Sequence, residues 1–303
     1  MLPDGYQLSI HAGTHCTGSD RFHHYLALSR ADAENAGWAL AYPGRYGAAG
    51  GMFDCTYPDP RHQGQEIEAF AARIANALSR HEAASRGMIL SDPDLAGTMA
   101  NLMGGRFYPA AAKRAEALRL ALGRPVDRLV LAVQPYETLF RAVWRRFALD
   151  REMEPFAEYA PAMSGFIGGW VETVEALRDG LGAREVIVLA RMPEPAELLS
   201  YLAPGLRSSV SALPGGMPEI TQSGLAMIQR HYRMGGRFAA GQRERILAFH
   251  ARQPQLPPEA GFEGLPLADL RGRYVADLDT IARMTNVSLL GGSMPELVPM
   301  AAE

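Results

Sequence analysis

The feature that most constrains this sequence is an alternation of short apolar runs with longer amphipathic segments. The segments Asp127–Val133 and Glu185–Leu189 are almost continuously apolar, which is typical of strands buried on both faces of a parallel sheet. Between them, a helix predicted over Phe166–Leu181 has its large apolar residues on one side. Strands joined by helical crossovers form a parallel sheet with helices on both faces. The sequence therefore predicts an α/β fold.

The same pattern predicts the remaining elements. Strands are expected at Tyr6–Ala12, Trp38–Ala41, Met88–Ser91 and, at an edge, Val287–Leu290. Helices are expected at Asp20–Ala36, Ile67–Leu78, Ala110–Leu122 and Tyr136–Leu149. The segment Tyr42–His62 is rich in Gly and Pro and predicts a long loop, and the C-terminal third is mostly helical. Since no linker divides the chain, we expect one domain over residues 1–290 and a tail over 291–303.

Composition narrows the class of protein. The 303 residues carry 30 basic and 33 acidic side chains, a net charge of −3, which argues against nucleic acid and acidic membranes as partners. The sum does not exclude a local arginine patch. No apolar run is long enough to span a membrane and no signal peptide is evident, so we expect a cytoplasmic chain. With only Cys16 and Cys55, neither a disulfide scaffold nor a structural zinc site is expected, and we predict no metal.

The basic residues are strongly skewed in type. Lys113 is the only lysine, so the remaining 29 of the 30 basic residues are arginines. Lysine provides a compact ammonium group, whereas arginine provides a planar fork of donors. A site that holds a phosphate or sulfate in this chain must therefore be built differently from one that uses a loop lysine.

Ligands of parallel sheets bind outside the carboxyl ends of the strands, which directs attention to the segment HAGTHCTGSD after the first strand. Four residues separate Gly13 from Gly18, as in a phosphate loop, where backbone N–H groups and a helix N-terminus bind an anion. The loop continues with Ser19 and Asp20 instead of Lys and a hydroxyl residue, which argues against ATP or GTP hydrolysis. The alternative is an ordinary strand-to-helix turn in which Ser19 or Asp20 is the N-cap.

The loop also resembles that of bacterial sulfotransferases that use 3′-phosphoadenosine-5′-phosphosulfate (PAPS), which reads H-x-G-T-H-K-T-G-T-T. The segments AYPG (Ala41–Gly44), LSDPDLAGT (Leu90–Thr98), LVLAVQPYETLFRAVW (Leu129–Trp144) and MSGFIGGW (Met163–Trp170) are similar to motifs of that family. The similarity extends from about residue 5 to residue 290. It implies a P-loop NTPase-like sulfotransferase fold and PAPS or adenosine 3′,5′-bisphosphate as the candidate ligand.

The resemblance implies a set of donor-binding positions, and this chain departs from the family at several of them. The positions are Gly13, Thr14, His15, Cys16, Thr17, Gly18, Ser19, Asp20, Gln134 and Ala142. Cys16 replaces the family's lysine, Asp20 a hydroxyl residue, Gln134 an arginine, Ala142 a serine and Pro93 a glutamate. Because charge-assisted contacts contribute about 1.5 to 3 kcal/mol each, these changes should weaken donor binding by several powers of ten.

Three functions follow as alternatives. We favour a sulfotransferase-like protein that is inactive toward PAPS or binds another small molecule. The second is an active enzyme that transfers the sulfuryl group to a hydroxyl or amine. Its replacement cations would be Arg21, Arg45, Arg106 or Arg191.

In that enzyme His15, Asp20 or Asp92 would be the base, and Tyr42, Arg45, Ser91 and Arg106 would bind the acceptor.

The third alternative is a cysteine-dependent phosphatase. His15, Cys16 and Arg21 are similar to the His-Cys-x5-Arg loop of those enzymes, in which a thiolate attacks phosphorus. Only four residues separate Cys16 from Arg21, one fewer than that loop requires. A buried, unreactive cysteine is the competing interpretation.

Overall fold

A computed structural model describes residues 5–44, 48–51, 53–62, 64–81, 86–211, 213, 220–257 and 259–291. Its six strands form one sheet in the order β2-β3-β1-β4-β5-β6, and every neighbouring pair is parallel. The strands are Gln7–His11 (β1), Trp38–Ala41 (β2), Gly87–Ser91 (β3), Arg128–Ala132 (β4), Glu185–Leu189 (β5) and Val287–Leu290 (β6). This sheet confirms the predicted α/β class, and each predicted strand lies within one residue of an observed one at either end.

Twelve α-helices occur in the described part of the chain. They are Ser19–Leu28 (α1), Arg30–Asn35 (α2), Ile67–Leu78 (α3), Met99–Met103 (α4), Ala111–Leu122 (α5), Tyr136–Asp150 (α6), Phe156–Ser164 (α7), Trp170–Leu181 (α8), Pro195–Leu202 (α9), Gln222–Arg233 (α10), Gln242–His250 (α11) and Gly264–Ile281 (α12). No helix or strand occurs among the described residues of the predicted loop 42–62. The helical character predicted for the C-terminal third is confirmed.

Two helix predictions were wrong in their extent. The helix expected over Asp20–Ala36 is divided at Ser29, a buried residue whose hydroxyl hydrogen-bonds the Ser208 hydroxyl at 2.7 Å. The helix expected from Phe166 begins at Trp170 because Gly168 has a φ of +86°, outside the helical region. Helices α4 and α7 were not predicted, since neither is long enough to show a clear apolar period.

Helices cover both faces of the sheet. Alternate strand residues such as Ile10 and Leu129 pack with α3, α5, α6 and α8 in one core cluster. The other face, with Val130 and Leu189, packs with α1, α2 and α9 in a second cluster. Because both faces are buried, the strands carry few polar residues, which explains why their sequences are nearly continuous apolar runs.

The C-terminal helices attach to this core through α6. Gln229 on α10 accepts a hydrogen bond from Met153 N at 2.8 Å and donates to Arg151 O at 2.8 Å, while Tyr232 donates to Leu149 O at 2.9 Å. None of the helices in the described ranges has the length and apolar character needed to cross a bilayer. The predicted tail, apart from Gly291, lies outside the described residues.

Candidate functional site

The topology of the sheet defines a crevice between β1 and β4. Strand β1 leads into α1, which packs on the second core cluster, whereas the adjacent β4 leads into α6, which packs on the first. Neighbouring strands whose helices leave to opposite faces form a topological switch point, and open α/β sheets bind ligands there. The first loop, residues 12–18, follows β1, and Gln134 follows β4 by two residues, so both lie at this point.

The first loop is folded tightly against its neighbours. Gly13, Cys16 and Gly18 have φ values of +83°, +59° and +88°. A Cβ atom on Gly13 would lie 2.8 Å from the Cα atom of Pro93, so only glycine fits there without displacing the backbone. Ala132 N donates to Gly13 O at 2.7 Å, which fixes the loop to β4.

The hydroxyl groups of the loop are directed to backbone oxygens. Thr14 donates to Ala132 O at 3.0 Å, and Thr17 donates to Thr14 O at 2.6 Å. Ser19 donates to the same Thr14 carbonyl over a longer 3.5 Å. Gln134, at the position of the family's arginine, donates from Nε2 to His15 O at 3.3 Å. These side chains therefore hold the loop in shape.

His15 is buried and uses both ring nitrogens. Its Nε2 lies 2.8 Å from Oδ1 of Asp94, and its Nδ1 lies 3.1 Å from the hydroxyl of Tyr108. The buried Arg114 donates to Asp94 O and pairs with Asp59 at 3.1 Å. This network positions His15 as an anchor of the loop. It can act as a base only after one of the two contacts is replaced by substrate.

Asp20 and Arg146 lie near Cys16 at the end of the first loop, and Arg146 was not predicted from the sequence. Burial raises the pKa of Cys16 to about 12, so its thiol is protonated at neutral pH and is a poor nucleophile. Burial also raises the pKa of Asp20, and the guanidinium of Arg146 opposes that shift. Arg146 Nη2 lies 4.0 Å from Asp20 Oδ2. Arg146 belongs to α6, 126 positions from Asp20 in sequence, and no local motif marks it.

The four arginines proposed from the sequence as replacement cations do not share one environment. Arg21 pairs with Glu194 at 3.2 Å, and Arg191 pairs with Glu197, both at exposed positions. Arg106 is exposed and forms no ion pair within the described ranges. Arg45 lies outside the described residues. The structure therefore brings neither Arg21 nor Arg191 to the crevice as an unpaired cation.

The predicted acceptor-binding residues Tyr42 and Ser91 lie in the interior. Tyr42 is fully buried; its hydroxyl donates to Ala49 O at 2.8 Å and accepts from Arg30 at 3.1 Å. Ser91 is also fully buried, between His11 Nδ1 at 2.8 Å and His23 Nε2 at 2.9 Å. Burial lowers the pKa of His11 to about 3, so it is neutral at physiological pH.

The last two predicted residues are Asp92, which follows β3, and Ala142, which lies on α6. Asp92, a candidate base, is buried and accepts a hydrogen bond from Asp94 N at 2.9 Å. Ala142 is half-buried on α6. Its methyl group offers no hydrogen bond where the family's serine would bind phosphate.

Comparison with known proteins identifies no family for this chain. No protein-family model matches the chain, and no curated protein matches it. Within the described ranges, no group of three or more His, Cys, Asp or Glu side chains is arranged to hold a metal ion. The resemblance to sulfotransferases consequently rests on the motifs and their order along the chain.

Proposed function

We propose that this chain is a sulfotransferase-like protein that binds a small molecule in the crevice between β1 and β4 and does not transfer sulfuryl groups from PAPS. One observation carries the proposal. At the N-terminus of α1, where the resemblance expects the donor's 5′-phosphate, the chain has the carboxylate of Asp20, and Arg146 faces that carboxylate. A carboxylate in the first turn already interacts favourably with the positive end of the helix dipole, which would otherwise attract a phosphate.

The hydrogen-bonding groups support the same conclusion. Thr14, Thr17 and Ser19 donate to backbone carbonyls of the loop and of β4, so their hydroxyls are not directed toward a ligand. The protonated Cys16 contributes no charge, and Arg146 is balanced by Asp20. A donor with several negative charges needs an excess of cations. We therefore expect an uncharged or singly charged ligand.

The test is a calorimetric titration with adenosine 3′,5′-bisphosphate, together with a variant that restores the family's residues. We expect no binding to the unaltered chain. The variant Cys16→Lys/Asp20→Thr/Gln134→Arg should gain affinity by several powers of ten, since it adds charge-assisted contacts of about 1.5 to 3 kcal/mol each. The control Gln65→Arg/Glu68→Thr/Ala72→Lys changes the net charge equally at exposed positions on or near α3 and should not bind.

Micromolar binding by the unaltered chain would overturn the proposal. Failure of both the unaltered chain and the restored variant would show that the crevice does not have the donor-site geometry, and would refute the sulfotransferase-like assignment itself. Equal gains in affinity by the restored variant and by the control would show that the gain depends on net charge alone. That result would also refute the sulfotransferase-like assignment.

Arg146 favours a second candidate, an active sulfotransferase in which this arginine replaces the loop lysine. Its side chain faces both Cys16 and Asp20 and acts electrostatically on each. The measurement is release of adenosine 3′,5′-bisphosphate from PAPS in the presence of hydroxyl and amine acceptors. This candidate predicts release that Arg146→Gln abolishes and Arg21→Gln preserves, because Arg21 pairs with Glu194. The absence of release would eliminate it.

A further inference from the structure

Charge is distributed very unevenly along this chain. Residues 222–257, which comprise α10, the turn 234–241, α11 and the segment after it, contain six arginines and one acidic residue, Glu244. This segment, here called the basic hairpin, carries +5, so the rest of the chain carries −8 to give the total of −3. The near-neutral total therefore conceals a strongly basic region.

The arginines of the basic hairpin are presented to solvent. Arg243 pairs with Asp150 at 2.6 Å. The other five are exposed, and none of them forms an ion pair with any described carboxylate; they are Arg230, Arg233, Arg237, Arg245 and Arg252. Three of these five arginines lie on the two helices, Arg237 lies in the turn and Arg252 follows α11. Exposed arginines without ion pairs on one segment produce a positive potential that attracts anions.

Large apolar side chains are exposed on the same segment. In the described part of the chain nine large hydrophobic residues are exposed, and four of them belong to the basic hairpin: Met234 (75%), Phe249 (62%), Leu256 (54%) and Met227 (41%). Four of nine within 36 residues is a strong concentration. Singly scattered apolar residues occur on any protein surface, whereas a concentration of this kind is typical of an interaction surface.

The two kinds of side chain alternate along the outer faces of the helices. Met227 and Arg230 on α10 and Met234 directly after it follow at i, i+3 and i+7, the spacing of one helix face. On α11, Arg245 and Phe249 follow at i and i+4, and Arg252 continues this row beyond the helix end. The opposite faces are buried through residues such as Leu225, Ile228 and Leu247. Each helix therefore has one face in the protein and one face of mixed arginine and apolar character.

The turn between the helices adds an arginine-lined cleft. Its volume is about 330 Å³, and its lining includes Tyr232, Arg237 and Arg243. A cleft of this size accommodates a small polar group such as a phosphodiester. It lies at the end of the hairpin, next to the exposed Met234.

We propose that the basic hairpin docks on the surface of a bilayer that contains anionic phospholipids. Arginines bind lipid phosphates, and apolar side chains between them enter the boundary between headgroups and acyl chains. A nucleic acid would satisfy the arginines, but it would leave Met227, Met234 and Leu256 without apolar contacts, since these side chains cannot stack as an aromatic ring does. The mixed surface therefore favours lipid.

The first test is co-sedimentation with vesicles of phosphatidylcholine alone and of phosphatidylcholine with about one third phosphatidylglycerol. We expect binding to the anionic vesicles only, with release between about 0.05 M and about 0.5 M salt as the charges are screened. Equal binding to both vesicles, or no binding to either, would overturn the proposal.

Matched variants assign the binding to the hairpin. Arg230→Gln/Arg233→Gln/Arg237→Gln should lower the partition coefficient about 100-fold, since each arginine near a lipid surface contributes about five-fold. The control Arg86→Gln/Arg207→Gln/Arg283→Gln removes three exposed arginines elsewhere and should change it little. Equal losses would contradict a specific surface. Thermal unfolding of both variants tests whether a loss of vesicle binding arises from misfolding.

The apolar side chains provide the test that separates lipid from nucleic acid. The three native tryptophans are buried, so Phe249→Trp reports its own surroundings, and its emission should shift to the blue on anionic vesicles. Leu265→Trp, at an exposed position on α12, should not shift. Unshifted emission from Phe249→Trp, or displacement from vesicles by a single-stranded oligonucleotide at equal phosphate concentration, would overturn the proposal.

Discussion

The first loop and the basic hairpin differ in whether their charged side chains have partners within the protein. In the loop region, polar groups have partners within the protein: the buried His15 contacts Asp94 and Tyr108, and the half-buried Asp20 faces Arg146. On the basic hairpin, five arginines are exposed without ion pairs among the described residues. The region that resembles an anion site thus has no excess of cations, and the region with that excess has no catalytic motif. Anion binding cannot be inferred from the motif alone.

The largest difference in the free energy of unfolding is expected between replacing a buried arginine and replacing an exposed one. Arg114 is buried and pairs with Asp59 at 3.1 Å, and its replacement leaves that carboxylate with only the exposed Arg61, 3.8 Å away. We expect Arg114→Gln to lower the free energy of unfolding by about 3 to 5 kcal/mol. Arg233→Gln, at an exposed position of the basic hairpin, should change it by less than about 0.5 kcal/mol. Chemical denaturation measures both, and similar values would contradict the contrast.

Two glycines test how tightly each region is packed. Gly13 and Gly235 both have positive φ, but a Cβ on Gly13 would meet the Pro93 backbone at 2.8 Å, whereas a Cβ on Gly235 would meet nothing within 4 Å. Gly235→Ala should cost about 1 kcal/mol from backbone conformation alone. Gly13→Ala should cost about 2 to 4 kcal/mol, since the clash adds to that strain. Equal costs in denaturant unfolding would show that the loop yields to the added methyl group.

The buried histidine behind the loop predicts a pH dependence. Burial lowers the pKa of His11 to about 3 in the folded state, while the unfolded chain takes up a proton near pH 6.5. Its contribution to stability is therefore present above pH 6.5 and is lost as the pH falls. Between pH 7 and pH 5 the loss is about 2 kcal/mol.

Denaturant unfolding of the unaltered chain and of His11→Asn at both pH values measures this term. The variant should be less stable at pH 7, because it loses the contact with Ser91, but its stability should fall less with pH. An identical decrease in the two proteins would assign the pH dependence to other groups.

The smallest effect is expected at an exposed ion pair. Arg21 and Glu194 lie 3.2 Å apart with both side chains largely in solvent. Such pairs contribute little, so Arg21→Gln should change the free energy of unfolding by no more than about 0.5 kcal/mol. A larger change in the free energy of unfolding, or an altered titration with adenosine 3′,5′-bisphosphate, would indicate that Arg21 is a replacement cation. Its pairing with Glu194 argues against that role.

Much of the fold could be predicted because burial leaves a direct mark on the sequence. The strand Glu185–Leu189 was predicted at its observed bounds because a strand covered on both faces must be apolar throughout. The helix expected over Phe166–Leu181 shows where this reasoning fails. Phe166 continues the apolar spacing, but the left-handed Gly168 and the extended Gly169 postpone the helix until Trp170. Spacing alone does not register such backbone conformations.

For the candidate site, the sequence determined which chemical groups are present and the tertiary structure decided which of them meet. The glycines at 13 and 18, the absence of a loop lysine and the carboxylate at position 20 are all evident from the order of residues. The approach of Arg146 to Asp20 and the burial of Tyr42 and Ser91 are not. They depend on how helices pack across the sheet, because a long-range contact joins residues whose separation in sequence carries no periodic signal.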